Sequence, residues 1–372
     1  MVFKNGYGLS KNGLSFKEVF SFENLLIAHQ VARRGKRGNF NAISFDANTT
    51  HLISTLYKRL MAGKYKINGY KHFVIFEPKQ REIQALSYGD RVVIHTLCDN
   101  FIRPELEKRL IFDNCACRQN KGSLFAINRL CMFLRDFYKK HKNNGYFLKC
   151  DIKKYFQSID HNILKERLAW IKDRKIKNLI FGIIDSYAHH DQIGLPMGNQ
   201  TSQWFAIYYL DPLDRIVKER LRVKHYIRYM DDFILIHHDK AFLQQVLKTL
   251  RQFIENNLKL SFNEKTQIFP IKNGCEFLGF KIYMMPSGKI VKKIKNQTKK
   301  RFCNRIKFYV KQYNNGTLEY SDFKDNLISC MAHLKNGNSY NFIKSRLKRL
   351  VLISSNRKFT SKGSKKEFTY LP

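Results

Sequence analysis

The stretch from Tyr226 to Ile236 (YIRYMDDFILI) constrains the fold of this chain more than any other part of the sequence. Short runs of aromatic and β-branched residues flank the adjacent carboxylates Asp231 and Asp232, which predicts a strand, a tight turn and a second strand. Such a hairpin places both aspartates at its tip. Asp also favours turns for local reasons, because its side chain caps its own backbone. Taken alone, the pair is therefore equally compatible with a purely structural turn.

A third carboxylate in a matching setting favours a functional interpretation. Asp151 lies 80 positions before Asp231 and ends a strand-like run that begins at Tyr146. Clustered carboxylates repel one another unless a cation joins them. Oxygen ligation by Asp suits Mg²⁺, and two such ions about 4 Å apart can activate a hydroxyl and stabilise a leaving pyrophosphate. In a basic chain this arrangement predicts nucleotidyl transfer to a nucleic-acid 3′ end.

The charge balance indicates a polyanionic partner. The chain has 68 Lys and Arg against 30 Asp and Glu, a formal net charge of +38, which is far more than solubility requires. The N-terminus has no apolar signal core, and no run approaches the roughly 18 apolar residues of a spanning helix. We therefore expect a nucleic-acid partner, no membrane association and a cytoplasmic location. With 372 residues, 44% of them hydrophobic, the chain can bury a large core in two or three subdomains.

The cysteines point to the same compartment. The eight residues form no Cys-x-x-Cys pair and have no histidines at zinc-like spacing. We expect reduced, mostly structural thiols and no zinc site. The cysteines are at positions 98, 115, 117, 131, 150, 275, 303 and 330.

Hydrophobic periodicity predicts a mixed α+β chain, with helices on one face of a small antiparallel sheet. The Asp151 strand and the hairpin are expected to be central strands of that sheet. Residues 281–372 carry 22 Lys and Arg against four acids, so their helices are expected to contact phosphates. Helices are predicted over 14–35, 49–62, 91–102, from Ser123, from a cap at Ser158 or Asp160, over 174–187, from the 194–203 loop through Leu210 and beyond, and over 241–257, 296–313, 321–334 and 340–352, and strands over 70–76, after a turn at 77–83, and over 146–151, 226–236, 258–262 and 275–283.

Three segments together resemble the palm of a reverse transcriptase of the bacterial retroelement kind. They are Tyr229 to Asp232 (YMDD), residues 151–161 (DIKKYFQSIDH) and residues 258–265 (LKLSFNEK). The resemblance extends from about residue 20 to about residue 350. It implies a right-hand polymerase with an N-terminal extension and fingers at 1–145, a palm at 146–283, a helical basic thumb at 284–353 and a basic tail at 354–372.

A narrower resemblance is to the reverse transcriptases of diversity-generating retroelements, within the group II intron-like superfamily. Four segments carry it: residues 198–203 (GNQTSQ), 91–98, 112–123 and 265–270 (KTQIFP). Most reverse transcriptases have Gln before the second glycine of the 194–203 loop, whereas this chain has Met197, as is typical of that subgroup. An apolar side chain offers the template–nucleotide pair no hydrogen bond, so low fidelity is expected, and the resemblance to that subgroup implies errors especially opposite template adenine.

The resemblance implies roles for the active-site positions. Asp151, Asp231 and Asp232 would be catalytic and would ligate two Mg²⁺ ions, with the carbonyl of Ile152 as a further ligand. Lys265 would be the general acid near the departing pyrophosphate.

The resemblance also implies residues that bind the substrates. Lys79 and Arg81 would hold the incoming nucleotide, Phe156 would exclude a 2′-hydroxyl, and Met197 and Gln203 would lie beside the nucleotide. From the residues alone, a core phenylalanine is the alternative for Phe156. Template and primer would contact Arg118 and Lys121 beside Gly122, and the turn Phe277, Leu278 and Gly279, although lone loop arginines usually face solvent.

Three functions fit this sequence. The first is a mutagenic polymerase of a diversity-generating retroelement, bacterial or phage-encoded, acting on template RNA and dNTPs to make cDNA, with a small basic oligomeric accessory protein as the family implies. The second is a related reverse transcriptase in anti-phage defence. The third is a non-catalytic RNA-binding protein, which the three aspartates argue against. The scarcity of acids after residue 281 argues against a ribonuclease H or endonuclease domain there.

Overall fold

The computed structural model describes residues 14–36, 38–76, 80–187 and 192–352. π-Helical turns extend two of its helices, at Cys98–Ile102 and Ile216–Arg220. The helices are α1 (Phe16–Val19), α2 (Phe22–Arg33), α3 (Phe40–Ala47), α4 (Thr49–Met61), α5 (Tyr88–Leu97), α6 (Arg103–Glu107), α7 (Ser123–His141), α8 (His161–Arg167), α9 (Arg174–Asp185), α10 (Gln200–Tyr209), α11 (Asp211–Arg215), α12 (Lys240–Leu258), α13 (Asn296–Asn314), α14 (Tyr320–Leu334) and α15 (Tyr340–Leu347).

The strands form three small sheets, with the orders β1-β2, β4-β5-β3-β6 and β7-β8-β9. The first and third sheets are antiparallel. This mixture of helices and small sheets confirms the predicted α+β class. The strands are β1 (Tyr70–Ile75), β2 (Arg81–Leu86), β3 (Tyr146–Cys150), β4 (His225–Tyr229), β5 (Asp232–His237), β6 (Gln267–Pro270), β7 (Cys275–Phe277), β8 (Phe280–Met284) and β9 (Ile290–Ile294).

The predicted hairpin is present as β4 and β5, but β4 is an edge strand. The prediction of a central position is right for β3 and β5 and wrong for β4. The segment before α7 covers the edge of β4. Arg228 N donates to the Asp113 carbonyl at 3.1 Å, and Cys115 N donates to the Arg228 carbonyl at 2.9 Å. This pairing satisfies backbone groups that an open edge would leave exposed.

The strand predicted over 258–262 is also wrong. Leu258 is the last residue of α12, and Phe262 makes an isolated bridge to Ile152. Leu258, Leu260 and Phe262 are all buried, which gives the alternation expected of a strand. The buried positions Leu250, Ile254 and Leu258 continue the helix instead, at the i, i+4 spacing of one helical face. The elements α3, α6, β6 and β9 had not been predicted.

Side-chain caps set several helix starts. Asp160 caps α8 through Asn162 N and Ile163 N, as the sequence predicted for Ser158 or Asp160. Asp173 caps α9 in the same way. The other carboxylate oxygen of Asp173 accepts a hydrogen bond from Phe16 N at 2.9 Å, which ties the start of α1 to α9. Asp suits both positions because it accepts from the unpaired amides of a first helical turn.

The described residues form two compact units. The first unit contains residues up to Gly122, Leu148–Leu235 and Ala241–Gln267, and therefore the β1-β2 sheet, β4 and most of the first twelve helices. The second contains Ser123–Phe147, Ile236–Lys240 and residues from Ile268 onward, with α7, β7 to β9 and α13 to α15. Each unit has its own core. In the second unit it includes Phe302, Ile306, Phe323, Leu327 and Ile343.

Two further expectations concern thiols and membranes. None of the eight cysteines is in a disulfide, and five are buried, in keeping with the predicted structural role. In the described ranges, every helix is too short or too polar to cross a bilayer.

Candidate active site

The three predicted catalytic carboxylates lie in the first unit, at the ends of neighbouring strands. Asp151 directly follows β3, and Asp231 and Asp232 lie at the turn between β4 and β5. Met230, which precedes them, has φ 58°, a left-handed conformation that is costly for a residue with a side chain. All three aspartates are half-buried. The structure therefore brings together the carboxylates that the sequence predicts as a cluster.

The segment after α12 fixes the backbone of Asp151. Asn263 N donates to the Asp151 carbonyl at 2.7 Å, and Asp151 N donates to Thr266 Oγ1 at 3.2 Å. Lys265 lies between these two partners in the chain, and its side chain is exposed. The predicted general acid therefore belongs to the same turn that holds Asp151.

The predicted carbonyl ligand, Ile152, lies in the bridge to Phe262. The hydrogen bonds of this bridge run from Asn263 N to the Asp151 carbonyl and from Lys153 N to the Ser261 carbonyl. They do not use the Ile152 carbonyl, so the bridge is compatible with its predicted role.

Burial makes the hairpin carboxylates unusually weak acids. Desolvation, together with the charge of Asp151, raises the pKa of Asp231 to about 6, against the opposing effect of Arg228 and Arg81. Desolvation likewise raises the pKa of Asp232 to about 6, with contributions from Asp151 and Asp231 and an opposing effect from Lys149. Both pKa shifts mean that the positive charges of the protein do not fully offset the cost of burying the ionised carboxylates of Asp231 and Asp232.

The donor set fits a hard divalent cation. Asp232 Oδ1 is buried without a hydrogen-bond partner, and the charges of Asp151 and Asp231 act on this carboxylate. Within the described ranges, no group of three or more His, Cys, Asp or Glu side chains is placed to hold a metal ion. Mg²⁺ does not require such a group, because it takes one or two protein carboxylates and completes its shell with water and substrate phosphates. Asp151 and Asp231 can supply such a partial set.

Arg81, predicted to bind the nucleotide, lies within electrostatic range of Asp231. It starts β2 opposite Ile75 of β1, its side chain is exposed, and its charge lowers the pKa of Asp231. An exposed guanidinium within electrostatic range of the carboxylates can bind a triphosphate bidentately. Lys79, predicted to act with it, lies outside the described residues.

Phe156 is half-buried rather than part of the closed core. Its ring is edge-on to Tyr155 at a centroid distance of 5.9 Å, and Tyr155 is buried with its hydroxyl donating to the Ala206 carbonyl. The Phe156 carbonyl accepts a hydrogen bond from Leu195 N at 2.7 Å. The backbone of Phe156 is therefore anchored while part of the residue stays accessible.

Gln84 of β2 holds the Met197 segment in place. Met197 N donates to Gln84 Oε1 at 3.0 Å, and Gln84 N donates to the Met197 carbonyl at 3.2 Å. At Gly198 φ is +120°, and a Cβ there would lie 3.3 Å from Ile83 Cγ2. The loop thus needs a glycine at this position. Gln203, also predicted to bind nucleotide, is exposed and accepts a hydrogen bond from Cys117 Sγ at 3.5 Å.

Arg118 and Lys121 are engaged within their own loop. Arg118 Nη1 donates to the carbonyls of Ile111 at 2.7 Å and Asn114 at 3.1 Å. Lys121 donates to the Phe112 carbonyl and lies 4.3 Å from the centroid of the Phe112 ring. Both side chains therefore stabilise the loop that covers β4. Their hydrogen bonds form without a template, so contact with a template would be an additional role.

The predicted primer-binding turn lies in the second unit. Phe277 pairs with Phe280, and between them Leu278 has φ 46° and Gly279 has φ 90°, the signs of a type I′ hairpin turn. Lys295 N and Thr298 Oγ1 both donate to the Gly279 carbonyl, at 3.2 and 3.4 Å. The Phe277 side chain is 1% exposed. The structure therefore does not support a primer contact by the Phe277 side chain, and the prediction remains for Leu278 and Gly279.

Two residues near the site were missed at the sequence level. Lys149 Nζ lies 3.3 Å from Asp232 Oδ2, and the period of two along a strand places Lys149 on the same face as Asp151. That spacing is the signal that could have revealed it. Gln84 gave no comparable signal, because its partner Met197 is 113 residues away in the sequence.

Comparison with known proteins identifies related chains. The family model described as "Reverse transcriptase (RNA-dependent DNA polymerase)" matches residues 79–282. The "Putative COX1/OXI3 intron 2 protein" of Saccharomyces cerevisiae is 24% identical over 343 residues, with 70% of this chain and 38% of that protein covered. The chain thus spans well under half the length of that relative.

Proposed function

Because the chain belongs to the reverse transcriptase (RNA-dependent DNA polymerase) family, whose model matches residues 79–282, we propose that it copies RNA into DNA with its three aspartates. Family membership implies a right-hand polymerase fold, a divalent-cation requirement, and template RNA and dNTPs as substrates. One observation carries the proposal: Asp151, Asp231 and Asp232 lie together with raised pKa values at the latter two, with Arg81 within electrostatic range. Such a site is suited to cations and phosphates.

Each of these residues has a separate role in the proposed reaction. Asp151 and Asp231 hold Mg²⁺, and two bound ions would supply activation of the primer 3′-hydroxyl and stabilisation of the leaving pyrophosphate. Arg81, with Lys79, binds the triphosphate of the incoming nucleotide. Lys265 gives a proton to the departing pyrophosphate.

The same division extends to the nucleic acid and to the subdomains. Residues up to 145 serve as fingers, 146–283 as the palm and 284–353 as a thumb. The thumb binds the template–primer duplex through phosphates, because its sequence is rich in Lys and Arg. Leu278 and Gly279 contact the primer strand, and the Phe156 ring leaves no room for a ribonucleotide 2′-hydroxyl.

The finer proposal is mutagenic synthesis for a diversity-generating retroelement. Support comes from the resemblance of the 194–203 loop and from Met197, whose backbone is held by Gln84 while its side chain brings no hydrogen-bonding group. The protein then distinguishes correct from incorrect template–nucleotide pairs by shape alone. Contacts of that kind favour the correct nucleotide over an incorrect one by only about 1–3 kcal/mol. A basic accessory protein is proposed as the partner, and the cytoplasm of a bacterium as the location. Anti-phage defence is the second proposal, since the same site would serve it.

The test is cDNA synthesis by the purified chain on RNA from its own locus, with Mg²⁺, dNTPs and the accessory protein. The Asp231→Ala/Asp232→Ala variant is the control. Control-sensitive cDNA with substitutions concentrated at template adenines supports the mutagenic proposal. Accurate cDNA favours the defence role. Absence of synthesis with all components present, together with tight RNA binding, leaves the non-catalytic RNA-binding protein.

A further inference from the structure

The largest fully buried charged side chain in the described residues lies next to the catalytic turn. Arg228 of β4 is completely inaccessible, and so is its partner Asp214 of α11. Arg228 Nε donates to Asp214 Oδ1 at 2.7 Å, and Nη2 donates to Asp214 Oδ2 at 2.5 Å. This is the bidentate arrangement in which a planar guanidinium matches a carboxylate.

The remaining donors of Arg228 bind backbone carbonyls. Nη2 also donates to the Ile207 carbonyl of α10, and Nη1 donates to the Met230 carbonyl, each at 2.9 Å. One side chain therefore joins α10, α11 and the turn that precedes Asp231. An ammonium group is a point charge on a flexible stem and cannot reproduce this fixed fork of donors.

The Met230 contact falls where the backbone needs support. Met230 is in the left-handed region at φ 58°, which is unfavourable for a non-glycine residue. Strained conformations of this kind persist only when the surroundings hold them. The carbonyl that Arg228 binds belongs to the strained residue, and the next residue along the chain is Asp231.

We infer that Arg228 is a positioning residue that holds the Met230 turn in the conformation that presents Asp231, with Asp214 fixing the guanidinium. The inference rests on the proposed polymerase function only for its kinetic consequence. Arg228 is buried and touches no substrate, so its effect passes through the Met230 carbonyl. Loss of that contact lowers the rate of the chemical step, while dNTP and template–primer affinities stay as they are.

A variant must separate this role from simple stability. Removing one partner of a buried ion pair leaves an uncompensated charge, whereas replacing both with apolar residues is often neutral or stabilising. The double variant Arg228→Met/Asp214→Leu therefore removes the charge problem and also removes the donor to Met230. Tyr226→Phe is the matched control, because the Tyr226 hydroxyl donates to Asp214 Oδ1 at 2.5 Å but does not contact the turn.

The experiment measures thermal unfolding, hydrogen exchange of a peptide spanning 225–237, and steady-state kinetics on an annealed RNA template and DNA primer. For the double variant we expect a melting temperature close to that of Tyr226→Phe. Its amides at 230–232 should exchange at least tenfold faster, and its kcat should fall about 10- to 100-fold with KM for dNTP unchanged. Tyr226→Phe should keep kcat within about twofold of the parent protein.

Two outcomes overturn the inference: a folded double variant with unchanged exchange at 230–232, or one with the kcat of the control. Should the double variant not fold, Arg228→Lys carries the same test, with faster exchange at the turn and reduced kcat expected. If the parent protein makes no more cDNA than Asp231→Ala, the proposed function fails. The exchange measurement still decides whether Arg228 holds the turn, so the two failures are distinguishable.

Discussion

Lys149 Nζ lies 3.3 Å from Asp232 Oδ2, so the strand that precedes one predicted catalytic aspartate supplies the counter-charge of another. The side chains of both residues are about a quarter exposed. Burial raises the pKa of both hairpin carboxylates to about 6, but Asp232 has Lys149 as an ion-pair partner. This pairing agrees with the proposal that Asp231, with Asp151, is the main cation ligand and that Asp232 has a supporting role.

Substituting Lys149 with Met should raise the pKa of Asp232 further above 6, because the substitution removes the nearby positive charge. A higher pKa leaves more of this carboxyl protonated at neutral pH. We expect the acidic limb of the pH–rate profile to move to higher pH, with about a tenfold loss of kcat at pH 7 and a smaller loss at pH 8.5. The exposed Lys248 of α12 provides the control, Lys248→Met. Equal profiles for both variants would contradict the assigned role.

Asp231→Asn should stabilise the protein when divalent cations are absent. The raised pKa means that the native state binds more protons than the unfolded state between about pH 4 and pH 6. The free energy of unfolding therefore falls as pH rises through that window and stays lower above it. We expect the variant to gain about 1–3 kcal/mol over the parent protein at pH 8, and nothing near pH 3.5.

Urea unfolding with a chelator at pH 3.5, 6 and 8 measures this difference. Adding Mg²⁺ at pH 8 should stabilise the parent protein more than Asp231→Asn. A variant less stable than the parent at pH 8 would show that another interaction of Asp231 outweighs its burial.

Met197→Gln should change the error spectrum of cDNA synthesis. The backbone contacts with Gln84 do not depend on the Met197 side chain, so the substitution should leave the loop in place and add hydrogen-bonding groups. We expect misincorporation at template adenines to fall by about tenfold, within the range that one such contact provides. Sequencing of cDNA made by Met132→Gln, an exposed position on α7, controls for the chemical change.

Gly198→Ala should impair catalysis through the loop. At this position φ is +120°, and an added Cβ would lie 3.3 Å from Ile83 Cγ2. We expect a higher KM for dNTP and a kcat lowered by about an order of magnitude. Gly182→Ala in α9 is a suitable control, since nothing lies within 4 Å of its Cβ position and alanine favours a helix by roughly 0.5–1 kcal/mol. Kinetics and thermal unfolding of Gly198→Ala and Gly182→Ala separate the effect of backbone strain at residue 198 from the effect of adding a methyl group.

Phe156→Ala should relax the selection of deoxynucleotides. The ring is half-buried beside Tyr155, and its removal opens space for a 2′-hydroxyl. We expect discrimination against ribonucleotides, measured as the ratio of kcat/KM values, to fall by about 10- to 200-fold. Phe308→Ala, at an exposed position of α13, should leave the ratio unchanged. A ratio unaffected in both variants would indicate that Phe156 is only a packing residue.

Hydrophobic periodicity predicted the helices and strands that one continuous segment of the sequence forms by itself. The hairpin around Asp231, the strand before Asp151 and the α9 face of Ile176, Ile180 and Ile183 follow from periodicity. Residues 258–262 were misassigned because a helix end and an isolated bridge can bury alternate residues as a strand does.

Long-range pairings account for the parts of the site that could not be predicted. The Gln84–Met197 pair, the Lys149–Asp232 pair and the covering of β4 by residues 113–115 depend on how distant segments meet. Lys149 left a local signal, its spacing of two from Asp151 along β3, but no spacing rule connects the other pairs. Family resemblance located the carboxylates but gave no information on the residues that support them.

The buried Arg228–Asp214 pair also protects the alignment of the catalytic strands against slippage. A shift of β4 by one residue would turn every side chain to the opposite face of the sheet. It would withdraw the guanidinium from Asp214 and leave two charges buried without partners, which is strongly unfavourable. Alternative alignments of this hairpin are therefore unfavourable even without substrate, so β4 can keep a single register at the sheet edge and hold the turn that contains Asp231 in place.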